Sequence, residues 1–236
     1  MSILLRTLCL GLLVATTGCD KTPKPDPTPA PVVPEVKEAK VVDPLAEMDK
    51  FITTVNVNKS SPTWRLELRM PPKLTFDPQM DYFLHMETSL GALRMKLYAD
   101  TAPMHVSNGV YLAKLGYYDG LNFHRIIPGF MAQGGCPTGT GTGGPGYKFG
   151  SEFQGGRKHD RPGILSMAHA GEGTDGSQFF LTFVPTPNLD NRHTVWGEIV
   201  DGMPTLKALE GVGSQSGQVA NPPLIQKAWV TAAKKG

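Results

Sequence analysis

The chain of 236 residues has a net charge of +2, and 40% of its residues are hydrophobic and 19% charged, which suffices for a packed core. The sequence contains no block of Lys and Arg that would form the basic stripe of a nucleic-acid-binding protein. Its 27 glycines and 21 prolines favour many turns, and an all-β domain over a helical bundle.

The first 19 residues are typical of a targeting segment. Arg6 precedes an apolar run at residues 8–15, which is too short to span a bilayer as a helix. The small residues before Cys19 resemble the lipobox of bacterial lipoproteins, although Thr16 stands where that box usually has Leu. We predict a signal peptide at residues 1–19 and lipidation of Cys19, with ordinary secretion as the alternative. The expected location is extracytoplasmic, anchored to a membrane and facing the periplasm or the cell exterior.

The three cysteines leave no pair for an internal disulfide. Cys9 belongs to the predicted signal peptide and Cys19 is the predicted anchor, so Cys136 is the remaining thiol. We interpret Cys136 as a small core-filling residue, with a reactive nucleophile as the alternative.

Two segments precede the main domain. Residues 20–44 contain seven prolines and few large apolar side chains, which predicts a disordered tether. Residues 45–80 are predicted to be an extension that packs on the main domain and begins with a short helix at 45–55. Alternating apolar residues predict a strand in the same extension: Trp64, Leu66, Leu68 and Met70.

Residues 81–236 form a series of short predicted strands separated by turn signals. Strands at 82–87 and 92–98 form a hairpin, and a helix at 103–115 ends at Gly116. Further strands are predicted at 122–127, 130–134, 163–168, 178–183, 195–199 and 227–231, with a second helix at 204–210. Many strands and only two helices favour a closed barrel or a sandwich.

Two segments carry polar residues suited to chemistry. In FHRIIPGFMAQGG, a Pro-Gly turn joins two strands, and the strand period brings Arg125, Met131 and Gln133 towards one groove. The alternative is an arginine solvated at the rim of a barrel. In TDGSQFFLT, the same period directs Gln178 and Phe180 to one face, where an amide lies beside a ring.

These segments resemble the cyclophilin family. FHRIIPGFMAQGG, GTGGPG, GILSMAHAG and TDGSQFFLT match its signature segments in order and spacing, and the resemblance runs from about residue 81 to 232. It implies a mainly β fold, a closed eight-stranded antiparallel barrel with two flanking helices. It also implies peptidyl-prolyl cis–trans isomerase activity, with no cofactor and no metal.

The resemblance also implies the site residues. Arg125 matches the catalytic arginine. The implied substrate-binding residues are a proline pocket, two amides and the residues beside the peptide: Phe130, Met131, Phe180, Leu189, His193, Gln133, Gln178, Gly141, Ala168, His169 and Ala170. His169 stands where the family commonly has Asn, at a position that contacts substrate mainly through its backbone.

Further consequences concern partners. The resemblance implies that Pro-containing unfolded or partly folded polypeptides are the substrates, and nucleic acid is not expected to bind. The lipid anchor would add a membrane as a partner. Asn188 stands where many eukaryotic members have a Trp that helps to hold cyclosporin, so weak cyclosporin binding is expected.

Four other functions could be read from parts of the sequence. A phosphate loop at residues 139–146 is disfavoured because Pro145 and Gly146 prevent the helix that must follow. The six histidines lack metal-ligand spacing. A hydrolase triad of Ser177, Asp190 and His193 lacks the glycines of a nucleophile elbow. A non-catalytic scaffold that binds Pro-containing segments stays open, although Arg125 and its neighbours favour an enzyme.

Overall fold

The computed structural model describes residues 43–236. The predicted signal peptide, Cys19 and nearly all of the tether lie outside the described residues. Between residues 43 and 236, no helix is both long and apolar enough to cross a bilayer.

Within residues 43–236, eight strands form a single antiparallel sheet: β1 Met80–Thr88, β2 Gly91–Leu97, β3 Arg125–Ile127, β4 Met131–Gly134, β5 Ile164–Met167, β6 Phe179–Thr182, β7 Val195–Asp201 and β8 Ile225–Lys234. Hydrogen bonds join them in the order β3-β4-β6-β5-β7-β2-β1-β8. The mainly β, antiparallel, eight-stranded architecture is therefore confirmed. Among the described residues no hydrogen-bonded ladder joins β3 to β8, so the predicted closure of the barrel is not confirmed.

In the described part of the chain, three α-helices accompany the sheet: α1 Pro44–Val55, α2 Pro103–Lys114 and α3 Met203–Gly211. The first begins at Pro44, one residue earlier than predicted, because Asp43 caps it by accepting the N–H of Leu45 at 2.9 Å. The second ends just before Gly116, whose φ of 64° suits the left-handed turn after a helix. The two predicted flanking helices correspond to α2 and α3.

The predicted strand at residues 64–70 is wrong. Trp64–Leu66 forms a short 3-10 helix instead, and the side chains of Leu66 and Met70 are 39% and 47% exposed. The Trp64 ring packs edge-on against Tyr117, and the N–H of Leu68 donates to the carbonyl of Pro145. Trp64 and Leu68 of the alternating apolar residues thus contact two loops, and the segment does not pair with a strand.

The apolar faces of the strands pack against α2, which is buried along most of its length. Gly109 of this helix lies against Trp196 of β7, where an added Cβ would come within 2.6 Å of the indole ring. A side chain at this position would therefore push α2 away from the sheet. The close packing holds α2 beside the loops that lead to the candidate site.

Candidate active site

The sheet register places three of the predicted site residues side by side. Arg125 on β3 is paired with Gln133 on β4, and Gln133 is paired with Phe180 on β6. The Arg125 side chain is exposed, and its Nη1 donates to Oε1 of Gln133 at 3.4 Å. The Pro-Gly turn between β3 and β4 adopts the predicted form, with Gly129 at a φ of 70°.

The two predicted amides form one hydrogen-bonded chain. Nε2 of Gln133 donates to Oε1 of Gln178 at 2.9 Å. Nε2 of Gln178 donates in turn to the carbonyls of Gly141 and Gly143, at 2.9 and 2.8 Å. Gln178 is 9% exposed, so its orientation is fixed by buried hydrogen bonds. The sequence indicated both amides but not the contact between them.

The residues of the predicted proline pocket lie together beside this chain. Met131 and Phe180 are buried, whereas Phe130, Leu189 and His193 are half-buried and border the opening. The Phe180 ring meets His193 edge-on at 5.4 Å between centroids. Nδ1 of His193 lies 2.9 Å from the carbonyl of Met167, to which it donates. Burial lowers the pKa of His193, which keeps the ring neutral at neutral pH.

The side chain of His169 has contacts beyond the backbone role that the sequence predicted for this residue. Its ring stacks on His193 at 4.3 Å. The N–H of Gly171 donates to Nδ1 at 3.0 Å, so the proton lies on Nε2, which donates to the carbonyl of Arg192 at 2.6 Å. The side chain of His169 therefore forms part of the wall of the groove.

A cavity of about 380 Å³ adjoins the two amides. The small residues named from the sequence line it: Gly141, Ala168 and Ala170. Gly141 has a φ of 84°, and an added Cβ would come within 3.3 Å of His124. A larger residue at this position would be strained and would disturb the floor of the cavity.

A buried polar group beneath Phe180 was not found from the sequence. The ring of His159 stacks on Phe180 at 5.9 Å. Its Nδ1 lies 3.0 Å from Oδ1 of Asp190, and its Nε2 lies 2.9 Å from Oγ of Ser166. Asp190 thus pairs with His159 and not with His193. The sequence offers no local signal for this, because Asp190 is 31 residues away along the chain.

The hydrolase triad considered above is not formed. The hydroxyl of Ser177 is buried, accepts a hydrogen bond from Tyr117 and donates to the carbonyl of Gly135 at 2.8 Å. Within residues 43–236, no group of three or more His, Cys, Asp or Glu side chains could hold a metal ion.

Two further residues support the loops around the groove. Gly217, with a φ of 80°, allows its loop to lie against Arg125, because an added Cβ would come within 3.0 Å of Cγ of that arginine. Cys136 is buried, and its Sγ accepts the N–H of Gly141 at 3.2 Å. Burial alone would raise the pKa of its thiol, but hydrogen bonds from Thr138 and nearby backbone outweigh burial and lower it. The burial of Cys136 agrees with the prediction of a small core-filling residue. The hydrogen bonds of its thiol were not part of that prediction.

Sequence comparisons agree with this geometry. The profile of the family described as cyclophilin type peptidyl-prolyl cis-trans isomerase/CLD matches residues 83–230. Peptidyl-prolyl cis-trans isomerase-like 2 of Cryptococcus neoformans is 48% identical over 157 residues, which cover 64% of this chain and 27% of that protein. This chain therefore spans about a quarter of the length of that relative. Peptidyl-prolyl cis-trans isomerase B of Bacillus subtilis is 52% identical over 111 residues, 47% of this chain and 78% of that protein.

Solved structures show the same fold. A cyclophilin type peptidyl-prolyl cis-trans isomerase of Cryptosporidium parvum superposes with a TM-score of 0.62 and 35% identity, over 64% of this chain and 98% of that chain. A second structure of that protein, in the presence of the dipeptide Ala-Pro, gives a TM-score of 0.61, 36% identity, and coverage of 63% of this chain and 98% of that chain.

Proposed function

The chain belongs to the family of cyclophilin-type peptidyl-prolyl cis–trans isomerases, and we propose that it catalyses cis–trans isomerisation of X–Pro bonds in unfolded or partly folded polypeptides. The observation that carries the proposal is the alignment of Arg125, Gln133 and Gln178 in one hydrogen-bonded row. The row runs beside a pocket lined by Met131 and Phe180. The Ala-Pro dipeptide in the Cryptosporidium structure belongs to a relative and supports the same class of substrate.

The reaction needs stabilisation of a twisted amide and no covalent intermediate. An X–Pro bond isomerises over tens to hundreds of seconds, because the amide barrier is about 18–20 kcal/mol. In the twisted state conjugation is lost, and the prolyl nitrogen becomes pyramidal and more basic. A donor that binds this nitrogen or the prolyl carbonyl oxygen lowers the barrier if it binds the twisted state better than the planar one.

Arg125 has the properties of such a donor. Its guanidinium carries five N–H groups, and the contact to Gln133 leaves most of them free to face the groove. Gln133 is held in turn by Gln178, so the guanidinium has an oriented neighbour before substrate arrives. Pre-orientation of this kind reduces the reorganisation required in the transition state.

The apolar pocket holds the proline ring while the preceding residue rotates. Met131 and Phe180 form its floor, with Phe130, Leu189 and His193 around the opening. The neutral state of His193 suits this role, because a charged ring would be costly beside an apolar ligand. The cavity beyond the amides has room for the residues that precede the proline.

The proposed location is extracytoplasmic. It is supported by the apolar run before Cys19 and by the prolines of the tether, which would hold the isomerase away from a membrane. Newly translocated polypeptides would then be the nearest substrates.

The activity is tested by a protease-coupled assay with a tetrapeptide that contains one X–Pro bond and is cleaved only in the trans form. Addition of the purified chain is expected to speed the slow phase in proportion to its concentration. A slow phase that matches the uncatalysed rate at micromolar protein would instead favour the non-catalytic scaffold.

A further inference from the structure

Residues 64–68 of the extension, called the strap here, contact a loop of the active site. The N–H of Leu68 donates to the carbonyl of Pro145 at 2.9 Å. Gly146 lies so close to the strap that an added Cβ would come within 2.5 Å of the Leu66 carbonyl, and its φ is 96°. The same loop supplies the two glycine carbonyls that accept the side-chain amide of the buried glutamine in the groove.

The strap also contacts the loop that follows α2, and this loop supports the segment that precedes the same glutamine. Arg65 donates through Nε to the carbonyl of Tyr117 at 2.8 Å and through Nη2 to the carbonyl of Asp119 at 2.7 Å. Its guanidinium lies 4.8 Å from the ring of Trp64, which packs edge-on against Tyr117. The hydroxyl of Tyr117 donates to Oγ of Ser177 at 3.0 Å. Ser177 is the residue just before Gln178.

Helix α2 is hydrogen-bonded both to the glycine-rich loop and to the segment that precedes Gln178. Asn108 accepts the hydroxyl proton of Tyr147 at 2.6 Å and donates to the carbonyl of Gly176 at 2.8 Å, which ties both loops to one helix position. The N–H of Leu74, beyond the strap, donates to Oγ of Ser107 at 2.9 Å. The extension is therefore bonded to the same helix turn that holds both loops.

We propose that the strap is a positioning element of the isomerase: it fixes both supports of Gln178 and thereby sets the affinity for substrate. The inference rests on the proposed isomerase function and gives the 45–80 extension a role in it. Gln178 can hold Gln133 only while its amide stays on the carbonyls of Gly141 and Gly143. A loop released from the strap would let this amide turn towards solvent, because its partners would no longer be fixed.

The experiment compares variants of the strap contacts with a matched control in the same extension. Arg65→Ala removes the hydrogen bonds to the loop of Tyr117. Gly146→Ala pushes the glycine-rich loop away from the strap. Asp49→Asn is the control, since Asp49 on α1 pairs with Lys114 at 2.7 Å and contacts neither support. Each protein is assayed for kcat and KM on the tetrapeptide, and the side-chain NH₂ resonances of Gln178 are recorded by NMR.

We expect KM to rise about three- to tenfold in both strap variants, with kcat within about twofold of the original. This pattern is expected when the bound substrate and the transition state lose the same binding energy. The Gln178 resonances should shift in both variants and stay in place in Asp49→Asn. Arg65→Lys keeps the charge and one donor, so it should recover part of the loss. If Arg65→Ala fails to fold by circular dichroism, Arg65→Lys and Gly146→Ala carry the test.

Unchanged KM and unmoved Gln178 resonances in the folded strap variants would overturn the inference. An equal loss in Asp49→Asn would overturn it too, because any weakening of the extension would then have the same effect. Failure of the proposed function looks different: the original chain would show no isomerase activity. The NMR comparison would still decide the role of the strap in that case.

Discussion

Gln133 and Gln178 share one hydrogen bond, from Nε2 of the first to Oε1 of the second, over 2.9 Å. This bond has a direction, because both N–H groups of Gln178 are engaged by the carbonyls of Gly141 and Gly143. Oε1 of Gln178 must then face Gln133, and Oε1 of Gln133 must face Arg125. The backbone of one glycine-rich loop thus determines which atom of Gln133 faces Arg125.

The donor that sets this direction can be removed with an isosteric change. Gln178→Glu replaces the amide donor by a carboxylate that faces two carbonyl oxygens, so the loop and the glutamate repel each other. We expect kcat/KM to fall about tenfold, which corresponds to about 1.4 kcal/mol. Gln226→Glu, at an exposed position on β8, is the control and should retain full activity. Equal activity of the two variants would show that the amide chain does not matter for catalysis.

Arg125 is tested separately. Arg125→Ala should lower kcat/KM by more than about tenfold, because no other donor replaces the guanidinium in the twisted state. Arg125→Lys should recover little, since an ammonium lacks the planar fork. The midpoint of thermal unfolding should stay within a few degrees of the original in both, because the side chain is exposed. Near-full activity of the alanine variant would contradict the proposed mechanism.

The strands and the groove could be predicted because they depend on local rules. A Pro-Gly pair specifies the turn between β3 and β4, and the two-residue period then aligns Arg125 with Gln133. The hairpin of β1 and β2 follows in the same way from Gly91, at a φ of 130°.

The strap and the buried histidine could not be predicted, because their partners are distant in sequence. Arg65 donates to carbonyls 52 and 54 residues away, and the apolar alternation around it is identical to that of a strand. His159 likewise meets Asp190 across 31 residues. Single-sequence patterns report which face of an element is apolar, and they do not report which loop will cover it.

Asn188 offers a gain-of-function test of drug binding. It is exposed in the short 3-10 helix Pro187–Leu189, next to Leu189 of the predicted proline pocket. Asn188→Trp adds an apolar face and an indole donor at this edge. The variant should therefore bind cyclosporin at least about tenfold more tightly than the original chain does. Asn221→Trp, at another exposed loop position, should leave the affinity unchanged. Tight binding by the original chain in titration calorimetry would refute the expectation.

The anchor is tested by cell fractionation. If Cys19 carries a lipid, the mature chain should partition with membranes, since each buried CH₂ contributes about 0.8 kcal/mol and stable attachment needs more than one acyl chain. Cys19→Ser should release the domain into the soluble extracytoplasmic fraction or leave the signal peptide uncleaved. The isomerase activity of the purified domain should not change. A soluble original chain, with no lipid on its N-terminal peptide by mass spectrometry, would favour ordinary secretion.

His105 at the start of α2 lies fully buried between two carboxylates. Its Nδ1 is 2.7 Å from Oε2 of Glu152, and its Nε2 is 3.3 Å from Oδ1 of Asp175, whose other oxygen accepts the hydroxyl of Ser151. Burial alone would lower the pKa of His105, but the hydrogen bonds to Asp175 and Glu152 outweigh it and raise the pKa above its ordinary 6.5. Burial would raise the pKa of both carboxyls, yet the contacts to His105 lower them.

These shifts predict that the His105 cluster stabilises the fold most in mildly acidic solution. A raised His105 pKa contributes stability that is complete below pH 6.5 and is lost as the pH rises through the folded value. The lowered Glu152 and Asp175 pKa values contribute stability that is complete above pH 4.5 and is lost on acidification. The contribution of this cluster to the free energy of unfolding should therefore be highest between about pH 4.5 and 6.5.

Replacement of the His105 imidazole measures the contribution of this cluster to the pH dependence of stability. His105→Gln removes the titrating ring, so the loss in free energy of unfolding relative to the original chain should be largest at pH 6 and should shrink as the pH rises above 6.5. His85→Gln is the matched control, because burial and the nearby Arg94 lower the pKa of His85. The contribution of that ring rises with pH only up to 6.5, so the difference in free energy of unfolding between the control and the original chain should stay constant above pH 6.5. An unchanged pH profile in His105→Gln would show that His105 is not charged between its two carboxylates.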